Sequence, residues 1–499
     1  MLQEKTQPNS RKFKEAAFYH QQSEQPYFLM PFRFHKITDE KEVIVNEVGD
    51  FIIVPSGTAT RIANKEVSID EPLYADLFAN FFISDKPIPD LIDVFATRYR
   101  TKKSFLDDFT ALHIFVATLR CNHSCHYCQV SRVSENIKDF DISFEDLEAG
   151  INHMFSSPAP SITMEFQGGE PLLAFDKVKY GIERALELNK KFKKDISFVI
   201  CTNSTVFSDD ILQFCKEHEV IISTSLDGPE FLHNANRPKS GAKSYEMVID
   251  GLSKVRKILG ADNVSALMTT TSLSLDYPIE IINNYIENGF SNVFLRPISP
   301  YGFALKNTKR NKYETDKYLE FYKTGLNYIL DLNKRGHFFV EDYTTVILKK
   351  MLTPFPVSYV DLQSPAGMIN NVVVFNYDGS VYATDESRML AENNDFTFKL
   401  GHVSEKYNSL FYGEKANLFS KYWSNESLAG CSDCGFQTYC GADPVFHYAS
   451  QGDFEGYRPT SDFCKKNMEI IRYLFELIDK DGKELLPIFN SWINNRPRF

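Results

Sequence analysis

Short apolar runs alternate with amphipathic stretches between about residue 111 and residue 299. The apolar runs predict six strands: HIFVATL, SITMEF, ISFVICT, VIISTSL, NVSALMTT and NVFLRPI. Between them, apolar residues recur at helical spacing, as in SFEDLEAGINHMF and FDKVKYGIERALELNK. Strands that alternate with helices favour parallel βαβ units with right-handed crossovers. Because six strands are too few for a closed eight-stranded barrel, we expect an α/β fold with a partial, curved (β/α)6 barrel over residues 106–310.

The pattern changes on both sides of this barrel. Before it, the segments KEVIVNEV and DFIIVP predict two strands joined by a turn at Gly49-Asp50, and two helix-like stretches follow them. After it, a long helix is expected over 311–335, followed by an irregular connection. The chain therefore divides into a disordered N-terminus (1–25), a small α+β domain (26–105), the barrel, a helical linker (311–366) and a cysteine-rich C-terminal domain (367–499).

The charge balance narrows the function classes. The chain has 55 Lys and Arg against 66 Asp and Glu, a formal net charge of −11. This excess of acid argues against nucleic acid or an anionic membrane as the main partner. No apolar run approaches the roughly 20 residues that span a bilayer, and the polar first residues lack the apolar core of a secretory signal. We expect a cytoplasmic protein, in which clustered cysteines are metal or redox ligands rather than disulfides.

The first cysteine cluster directly follows the first barrel strand, in the sequence Cys121-Asn-His-Ser-Cys125-His-Tyr-Cys128. In parallel α/β folds, ligands bind at the carboxyl ends of the strands. Three thiolates on one loop can hold three irons of a four-iron cluster and leave the fourth iron open, whereas an electron-transfer cluster uses four cysteines. A zinc site completed by His123 or His126 is the alternative on the loop alone.

This loop resembles the signature of the radical S-adenosylmethionine (radical SAM) superfamily, including the aromatic residue Tyr127 before the third cysteine. The second strand ends in Gln167-Gly168-Gly169-Glu170-Pro171. The resemblance implies that this turn meets the amino group of the bound methionine. Glycines allow close backbone approach, and a carboxylate can accept from an ammonium.

The next two strands also end in polar residues that fit this resemblance. Asn203 follows the third strand, and Ser225-Leu226-Asp227-Gly228-Pro229 follows the fourth, with His233 and Arg237 after it. The resemblance implies that Asn203 contacts the ribose, Ser225 the adenosyl moiety and Arg237 the methionine carboxylate. Taken singly, each of these residues could instead be an ordinary turn or cap residue.

The second cysteine cluster consists of four thiols in the C-terminal domain: Cys431, Cys434, Cys440 and Cys464. Zinc is a fair interpretation of these four alone. Beside a radical SAM barrel, the pattern resembles the SPASM extension, which has seven cysteines and two auxiliary clusters. Three of the seven are replaced in this chain, by Ser364, Thr384 and Pro444. The resemblance therefore implies one auxiliary [4Fe–4S] cluster, fully ligated by protein and suited to electron transfer.

The N-terminal segment and the stretch after Cys440 resemble the radical maturases of the His-Xaa-Ser peptide system. This resemblance implies a small ribosomal peptide as substrate, a reductant such as flavodoxin or ferredoxin, and a paired second radical SAM maturase as partner. The N-terminal domain could bind a leader peptide at a sheet edge or could simply pack on the rest of the protein. Three alternatives remain open: an anaerobic sulfatase maturase, a non-catalytic iron–sulfur carrier, and a zinc-stabilised scaffold.

Overall fold

The computed structural model describes residues 26–87, 91–299, 301–302, 312–357 and 359–497. The expected disordered segment, residues 1–25, lies outside the described residues. An eight-stranded sheet forms the centre of the protein. Five of its strands are parallel neighbours and belong to the barrel: Leu112–Thr118, Ser161–Gly168, Asp195–Thr202, Ile221–Ser225 and Val264–Leu267. The predicted partial β/α barrel is confirmed.

Alternation along the second barrel strand separates a helix-covered face from an interior face. Met164 and Phe166 are fully buried, and both lie against Gly181 of a covering helix. Glu165 and Gln167 therefore point to the barrel interior, since successive side chains of a strand face opposite sides. Helices cover the outer face at Phe144–Ser156, Phe175–Phe192, Asp209–Glu217, Glu230–Asn236, Ser244–Leu259 and Pro278–Glu287.

The sixth predicted strand is shorter than its apolar pattern indicates. Only Asn292–Val293 is a strand, and it pairs in parallel with Val340–Glu341. Its link to the fifth strand is a single bridge between Thr270 and Pro297. Pro297 cannot donate a ladder hydrogen bond, so continued pairing stops there. The barrel is open on this side.

Strands of the C-terminal region extend the barrel sheet at its other edge. Val372–Phe375 pairs in parallel with the first barrel strand, and Ser380–Tyr382 and Lys399–His402 follow it as antiparallel neighbours. Phe375 packs on Phe115 with ring centres 4.9 Å apart. The cysteine-rich region is thus joined to the barrel by backbone hydrogen bonds and by a shared core.

The N-terminal unit contains a three-stranded antiparallel sheet, one strand more than predicted. The additional strand, Phe32–Lys36, pairs with Lys41–Asn46, which in turn pairs with Phe51–Pro55. Helices Thr58–Ala63 and Pro72–Ala79 follow, as predicted, and a strand pair joins Phe28–Leu29 to Ile83–Ser84. The helix Leu91–Lys102 leads to the barrel.

The N-terminal sheet docks on the cysteine-rich region. His35 packs on Phe436 with ring centres 4.2 Å apart, and Phe51 packs edge-on against Phe475 at 4.9 Å. The hydroxyl of Tyr439 donates to the backbone oxygen of Gly49 at 2.9 Å. These contacts hold the N-terminal unit against the loop that contains Cys434 and Cys440.

The remaining helices lie after the barrel. The expected long helix begins at Thr315 and ends at Lys334. Further helices are Asp342–Leu352, Asp385–Ala391, Tyr407–Phe411, Glu414–Phe419, Pro444–Gln451 and Asp462–Ile493, the last with a kink at Asp481. In the described part of the chain, no helix combines the length and apolar character needed to cross a membrane.

Candidate active site

The first cysteine loop leaves the carboxyl end of the first barrel strand. Arg120 anchors its beginning: the buried guanidinium pairs with Asp141 at 2.7 Å and donates to the backbone oxygen of Leu173 at 2.7 Å. Farther along the loop, the backbone N–H of Ser124 donates to the oxygen of Pro238 at 2.8 Å. The loop is therefore held from two sides, by the segment after the second strand and by the segment after the fourth.

The three thiols of this loop lie close enough to interact electrostatically. Burial, together with Cys125, raises the pKa of Cys121 above its usual range, and burial raises the pKa of Cys125 to about 12. None of these cysteines is in a disulfide. A group of half-buried, unpaired thiols is the donor set that an iron–sulfur cluster requires. The three cysteines of this loop therefore fit an iron–sulfur cluster.

A zinc site fits the cysteines less well than an iron–sulfur cluster does. Within the described ranges, no group of three or more His, Cys, Asp or Glu side chains is gathered closely enough to hold one metal ion. Tetrahedral zinc needs all its ligands about 2.0–2.3 Å from one point. His126 interacts instead with Asn236, at 3.3 Å. The geometry gives no preformed zinc site at either cysteine set.

Asn203 connects the end of the third strand to the cysteine loop. Its side-chain nitrogen donates to Asn122 at 2.7 Å and lies 4.0 Å from the sulfur of Cys121. Its side-chain oxygen accepts from Thr205. The structure therefore brings Asn203 to the site, although its amide is already engaged with the loop.

Gly168 and Gly169 allow the second strand to touch the beginning of the cysteine loop. A Cβ atom on Gly169 would lie 2.3 Å from the oxygen of Arg120, and one on Gly168 would lie 2.0 Å from the oxygen of Thr118. Gly168 also has a φ of 145°. The N–H of Gly169 donates to Thr118 at 2.8 Å, and that of Glu170 donates to Arg120 at 2.7 Å. Only glycine fits this approach.

Glu170 is fully buried and already hydrogen-bonded. Its carboxylate accepts from the N–H of Leu172 at 3.1 Å, the hydroxyl of Thr202 at 2.8 Å and the N–H of Asn203 at 2.8 Å. Burial raises the pKa of Glu170 to about 7 despite these donors. In this structure Glu170 ties the second strand to the third, and its contact with the cofactor stays a prediction.

Tyr127 and Arg237 meet at Asp227. The Tyr127 hydroxyl donates to the Asp227 carboxylate at 2.7 Å, and the Arg237 guanidinium pairs with the same carboxylate at 3.1 Å. The guanidinium also lies 5.3 Å from the centre of the Tyr127 ring. Ser225 ends the fourth strand, opposite Leu267. The contacts predicted from Ser225 and Arg237 to the cofactor remain predictions.

The second cysteine set joins one loop to the beginning of a helix. The Nε atom of Arg458 donates to the sulfur of Cys431 at 3.0 Å, and the N–H of Phe436 donates to Cys434 at 3.4 Å. Burial raises the pKa of Cys440 to about 12 and that of Cys464 to about 11. The four thiols interact electrostatically, and the donor set fits a fully ligated cluster.

The three positions where cysteines are replaced have structural roles. The Ser364 hydroxyl donates to Glu426 at 2.7 Å. Thr384 caps the helix Asp385–Ala391, with the N–H of Ser387 donating to its hydroxyl at 3.0 Å. Pro444 begins the helix Pro444–Gln451, where its missing N–H costs nothing.

Asp227 is the site residue that the sequence interpretation missed. It lies between Ser225 and Pro229, and its fully buried carboxylate is the common partner of Tyr127 and Arg237. An acid at the carboxyl end of a strand, next to a glycine, was the available signal. Glu165, which accepts from Gln167 at 2.6 Å inside the barrel, is a second such residue, because the apolar pattern of its strand gives no sign of a functional acid.

Comparisons with known proteins agree with this geometry. Residues 115–284 match the model of the Radical SAM superfamily. A serine-type anaerobic sulfatase-maturating enzyme of Bacteroides thetaiotaomicron is 24% identical over 394 residues, which cover 70% of this chain and 89% of that protein. A cysteine-type anaerobic sulfatase-maturating enzyme of Clostridium novyi is 25% identical over 336 residues, which cover 65% of this chain and 84% of that protein.

Solved structures share the fold. Native anSMEcpe with bound AdoMet has a TM-score of 0.61 at 18% identity, covering 77% of this chain and 99% of that one. Streptococcus suis SuiB bound to the precursor peptide SuiA has a TM-score of 0.50 at 14% identity, covering 88% of this chain and 100% of that one. The cysteine loop, the glycine turn and the family match lead to one conclusion: residues 115–284 form a radical SAM domain, in a chain that is similar to the anaerobic sulfatase-maturating enzymes.

Proposed function

We propose that this protein cleaves S-adenosylmethionine reductively and uses the product radical to modify a ribosomally synthesised peptide. The observation that carries the proposal is the three-thiol loop held by the Gly168–Glu170 turn at the carboxyl end of the barrel sheet. The loop offers three thiols rather than four, so a cluster held there keeps one iron open. Such an opening is needed to bind a cofactor and has no purpose in a simple electron carrier.

The residues of the loop have distinct tasks. Cys121, Cys125 and Cys128 would hold the [4Fe–4S] cluster, which would supply the electron that breaks the sulfur–carbon bond of S-adenosylmethionine to give methionine and a 5′-deoxyadenosyl radical. Arg120 and Gly169 fix the path of the loop through backbone contacts. Tyr127 ties the last turn of the loop to the segment that follows the fourth strand. A rigid, water-poor setting of this kind limits side reactions of a radical.

The four C-terminal cysteines would hold one auxiliary [4Fe–4S] cluster. All four are unpaired, and Arg458 donates to one sulfur, as expected where thiolate charge accumulates. Full protein ligation suits this cluster to electron transfer toward or away from the barrel. Flavodoxin or ferredoxin is the proposed reductant.

A peptide substrate is favoured by the nature of the relatives. Solved structures include anSMEcpe with the Cp18Cys peptide and SuiB with its precursor peptide SuiA. We infer a peptide of His-Xaa-Ser type, processed together with a second radical SAM maturase, from the resemblance of the chain ends to that system. The similarity to sulfatase-maturating enzymes supports sulfatase-like protein modification as the alternative. The replaced cysteines at 364, 384 and 444 disfavour it.

Leader binding by the N-terminal unit is a further part of the proposal. Phe32–Lys36 and Phe51–Pro55 are edge strands of its sheet, and a peptide can add to such an edge through backbone hydrogen bonds. Phe34, on the first of these strands, is 55% exposed. Gly435 and Phe436 lie against the same strand, so the outer strand Phe51–Pro55 is the better candidate edge.

Co-expression tests the proposal. The protein, its reductant and a small His-Xaa-Ser peptide should yield a peptide with altered mass, together with 5′-deoxyadenosine. A sulfatase-derived peptide serves as the competing substrate under the same conditions. Modification of the sulfatase peptide alone would establish the alternative, and release of 5′-deoxyadenosine without any peptide change would reject both substrates.

A further inference from the structure

The segment that follows the helix Pro444–Gln451 brings a cation to the second cysteine set. The Nε atom of Arg458 donates to the sulfur of Cys431 at 3.0 Å, and both residues are half-buried. The sulfur of a neutral thiol is a weak acceptor, whereas an ionised sulfur accepts strongly. An arginine does not lose its proton in a protein. The contact therefore places a permanent positive charge on a sulfur of the proposed auxiliary site.

A buried histidine holds Arg458 in this orientation. The Nη1 atom of Arg458 donates to Nε2 of His447, and Nδ1 of His447 donates to the backbone oxygen of Asp443 at 2.6 Å. His447 is fully buried, and burial together with the Arg458 cation lowers the pKa of His447 to about 4. It is therefore neutral near pH 7 and can accept from the guanidinium. The helix Pro444–Gln451, which begins at a replaced cysteine position, thus supplies the residue that orients Arg458.

Further hydrogen bonds fix the backbone around Arg458. The side-chain nitrogen of Gln451 donates to the backbone oxygen of Tyr457 at 3.2 Å, and the N–H of Tyr457 donates to the side-chain oxygen of Gln451 at 2.8 Å. The N–H of Ala429 donates to the carboxylate of Glu455 at 2.9 Å, which joins the segment to the residues just before the cysteine loop. Arg458 is therefore built into the wall of the cysteine set and does not lie loosely on the surface.

The first cysteine loop has a different arrangement. The donors near the sulfur of Cys121 are neutral groups: the backbone N–H of His123 at 3.4 Å and the side-chain nitrogen of Asn203 at 4.0 Å. Arg237 lies beside this loop, but its guanidinium is paired with the carboxylate of Asp227 at 3.1 Å. The two cysteine sets therefore differ in the charge that hydrogen-bond donors present to their sulfurs.

The charge of such a donor has a direct effect on reduction. The potential of an iron–sulfur cluster depends on its net charge and on the hydrogen bonds to its sulfurs. Reduction adds one negative charge, so a neighbouring cation stabilises the reduced form more than the oxidised form. Salt screens this interaction less in a half-buried site than at the surface. A cation fixed on a sulfur should therefore raise the reduction potential.

We propose that Arg458 raises the reduction potential of the auxiliary cluster through its hydrogen bond to Cys431, and that His447 is the residue that positions it. This inference rests on the proposed function, because it requires the four C-terminal thiols to hold that cluster. In the reduction concerned, the cluster gains one electron from an external reductant, no bond is broken, and Arg458 keeps its proton. Arg458 thus controls how readily the auxiliary site takes up an electron.

Redox titration of the reconstituted holoprotein tests the inference. Dithionite is the reductant, and electron paramagnetic resonance follows the two clusters under anaerobic conditions. Arg458→Gln removes the charge and should make electron uptake by the auxiliary cluster about tenfold less favourable, a fall of about 59 mV in its midpoint potential. Arg458→Lys keeps the charge and should cause a smaller fall. The potential of the barrel cluster should not move in either variant.

Two further variants separate the local contact from the general loss of a charge. His447→Leu removes the acceptor that orients Arg458 and should lower the same potential. Arg472→Gln is the matched control, because Arg472 lies on the helix that contains Cys464 but pairs with Glu469. It should leave both potentials unchanged. Equal shifts in Arg472→Gln and Arg458→Gln would overturn the role of the hydrogen bond to sulfur.

Iron content and product analysis keep this inference distinguishable from the proposed function. If Arg458→Gln retains about eight irons and the wild-type potentials while the peptide is modified, the proposed function stands and the inference is wrong. Loss of the auxiliary irons in both Arg458 variants and in His447→Leu would show a purely structural role and would also overturn it. A potential shift in a protein that modifies no peptide would support the role of Arg458 and count against the proposed substrate.

Discussion

The hydroxyl of Tyr127 donates a 2.7 Å hydrogen bond to the carboxylate of Asp227. Both groups are buried and lie 100 residues apart in the chain. Tyr127 belongs to the cysteine loop, and Asp227 lies just after the end of the fourth barrel strand. This contact therefore sets the last turn of the cysteine loop relative to the sheet. Arg237 completes the arrangement with its ion pair to Asp227 at 3.1 Å.

Removing the carboxylate of Asp227 should lower the stability of the protein more than removing the hydroxyl of Tyr127. Tyr127→Phe deletes one charge-assisted hydrogen bond, worth about 1.5–3 kcal/mol. Asp227→Asn leaves Arg237, whose side chain is only 12% exposed, without its counter-charge, a change that typically costs about 3–5 kcal/mol. Thermal midpoints and S-adenosylmethionine affinities should follow this order. Because the groups act together, the double variant should resemble Asp227→Asn alone.

Tyr473→Phe is the matched control for these variants. Its hydroxyl donates to Asn327 at 2.6 Å near the surface, far from the cysteine loop in the sequence. It should leave cofactor affinity unchanged. Additive losses in the double variant would show that Tyr127 and Asp227 do not form one unit.

A methyl group at Gly169 should disrupt the cysteine loop. The added Cβ would lie 2.3 Å from the oxygen of Arg120, so the loop and the turn must separate. We expect Gly169→Ala to lower the iron content of the barrel site and to reduce 5′-deoxyadenosine formation at least tenfold. Gly482→Ala is the control, because its nearest neighbour would be 3.8 Å away. Full iron content in Gly169→Ala would contradict the close approach.

The buried Glu170 predicts an unusual pH dependence. Its folded pKa of about 7 lies above the ordinary 4.5, so the unfolded chain loses this proton first. The contribution of Glu170 to stability therefore falls as pH rises from about 4.5 to about 7 and then levels off. Glu170→Gln cannot ionise at this position. The amount by which its free energy of unfolding falls below that of wild type should therefore shrink by roughly 2 kcal/mol between about pH 5.5 and pH 8. Denaturant unfolding of the apoprotein measures this change.

Glu148 provides a control of opposite sign. Hydrogen bonds from Arg184 lower the pKa of Glu148 below its usual value. Its stabilising contribution is present at neutral pH and is lost as pH falls through the lowered pKa. The loss of unfolding free energy in Glu148→Gln, relative to wild type, should therefore grow as pH rises from the acid range, whereas the loss in Glu170→Gln shrinks. Parallel profiles for the two variants would contradict the account of Glu170.

Deleting residues 1–85 tests the role of the N-terminal unit. The deletion uncovers Phe436 and Phe475, which pack on His35 and Phe51. We expect lower solubility and a less stable auxiliary site, because an apolar patch is exposed beside Cys434 and Cys440. Cofactor cleavage by the soluble fraction should persist, while peptide modification should collapse. Normal modification of a full-length peptide by the truncated protein would eliminate leader binding.

Local patterns predicted the barrel well because each strand and helix carries its own periodicity. The positions of Cys121, Gly169 and Asn203 at strand ends followed from that order alone. The Tyr127–Asp227 contact could not be predicted, because spacing does not show which strand-end groups meet. The strand Phe32–Lys36 was missed because Arg33 and Lys36 interrupt its apolar run. The pairing of this strand with its neighbour nevertheless places Arg33 and Lys36 within the sheet.

Tertiary pairing also overrode the expected organisation at both sheet edges. The sixth strand was predicted to continue through Phe294 and Leu295, but the chain pairs only over Asn292–Val293. At the opposite edge, Val372–Phe375 joins the first barrel strand across more than two hundred residues of sequence. No local signal identifies a partner so far away, so this pairing could not be predicted from the sequence.

Iron and 5′-deoxyadenosine analysis of one triple variant tests the central claim most directly. Anaerobically reconstituted wild type should contain about eight irons per chain, in two four-iron clusters, and should form 5′-deoxyadenosine on reduction. Replacing Cys121, Cys125 and Cys128 with Ala should leave about four irons and no 5′-deoxyadenosine. Continued cleavage of S-adenosylmethionine by the triple variant, or unchanged iron content, would contradict the assignment of this loop.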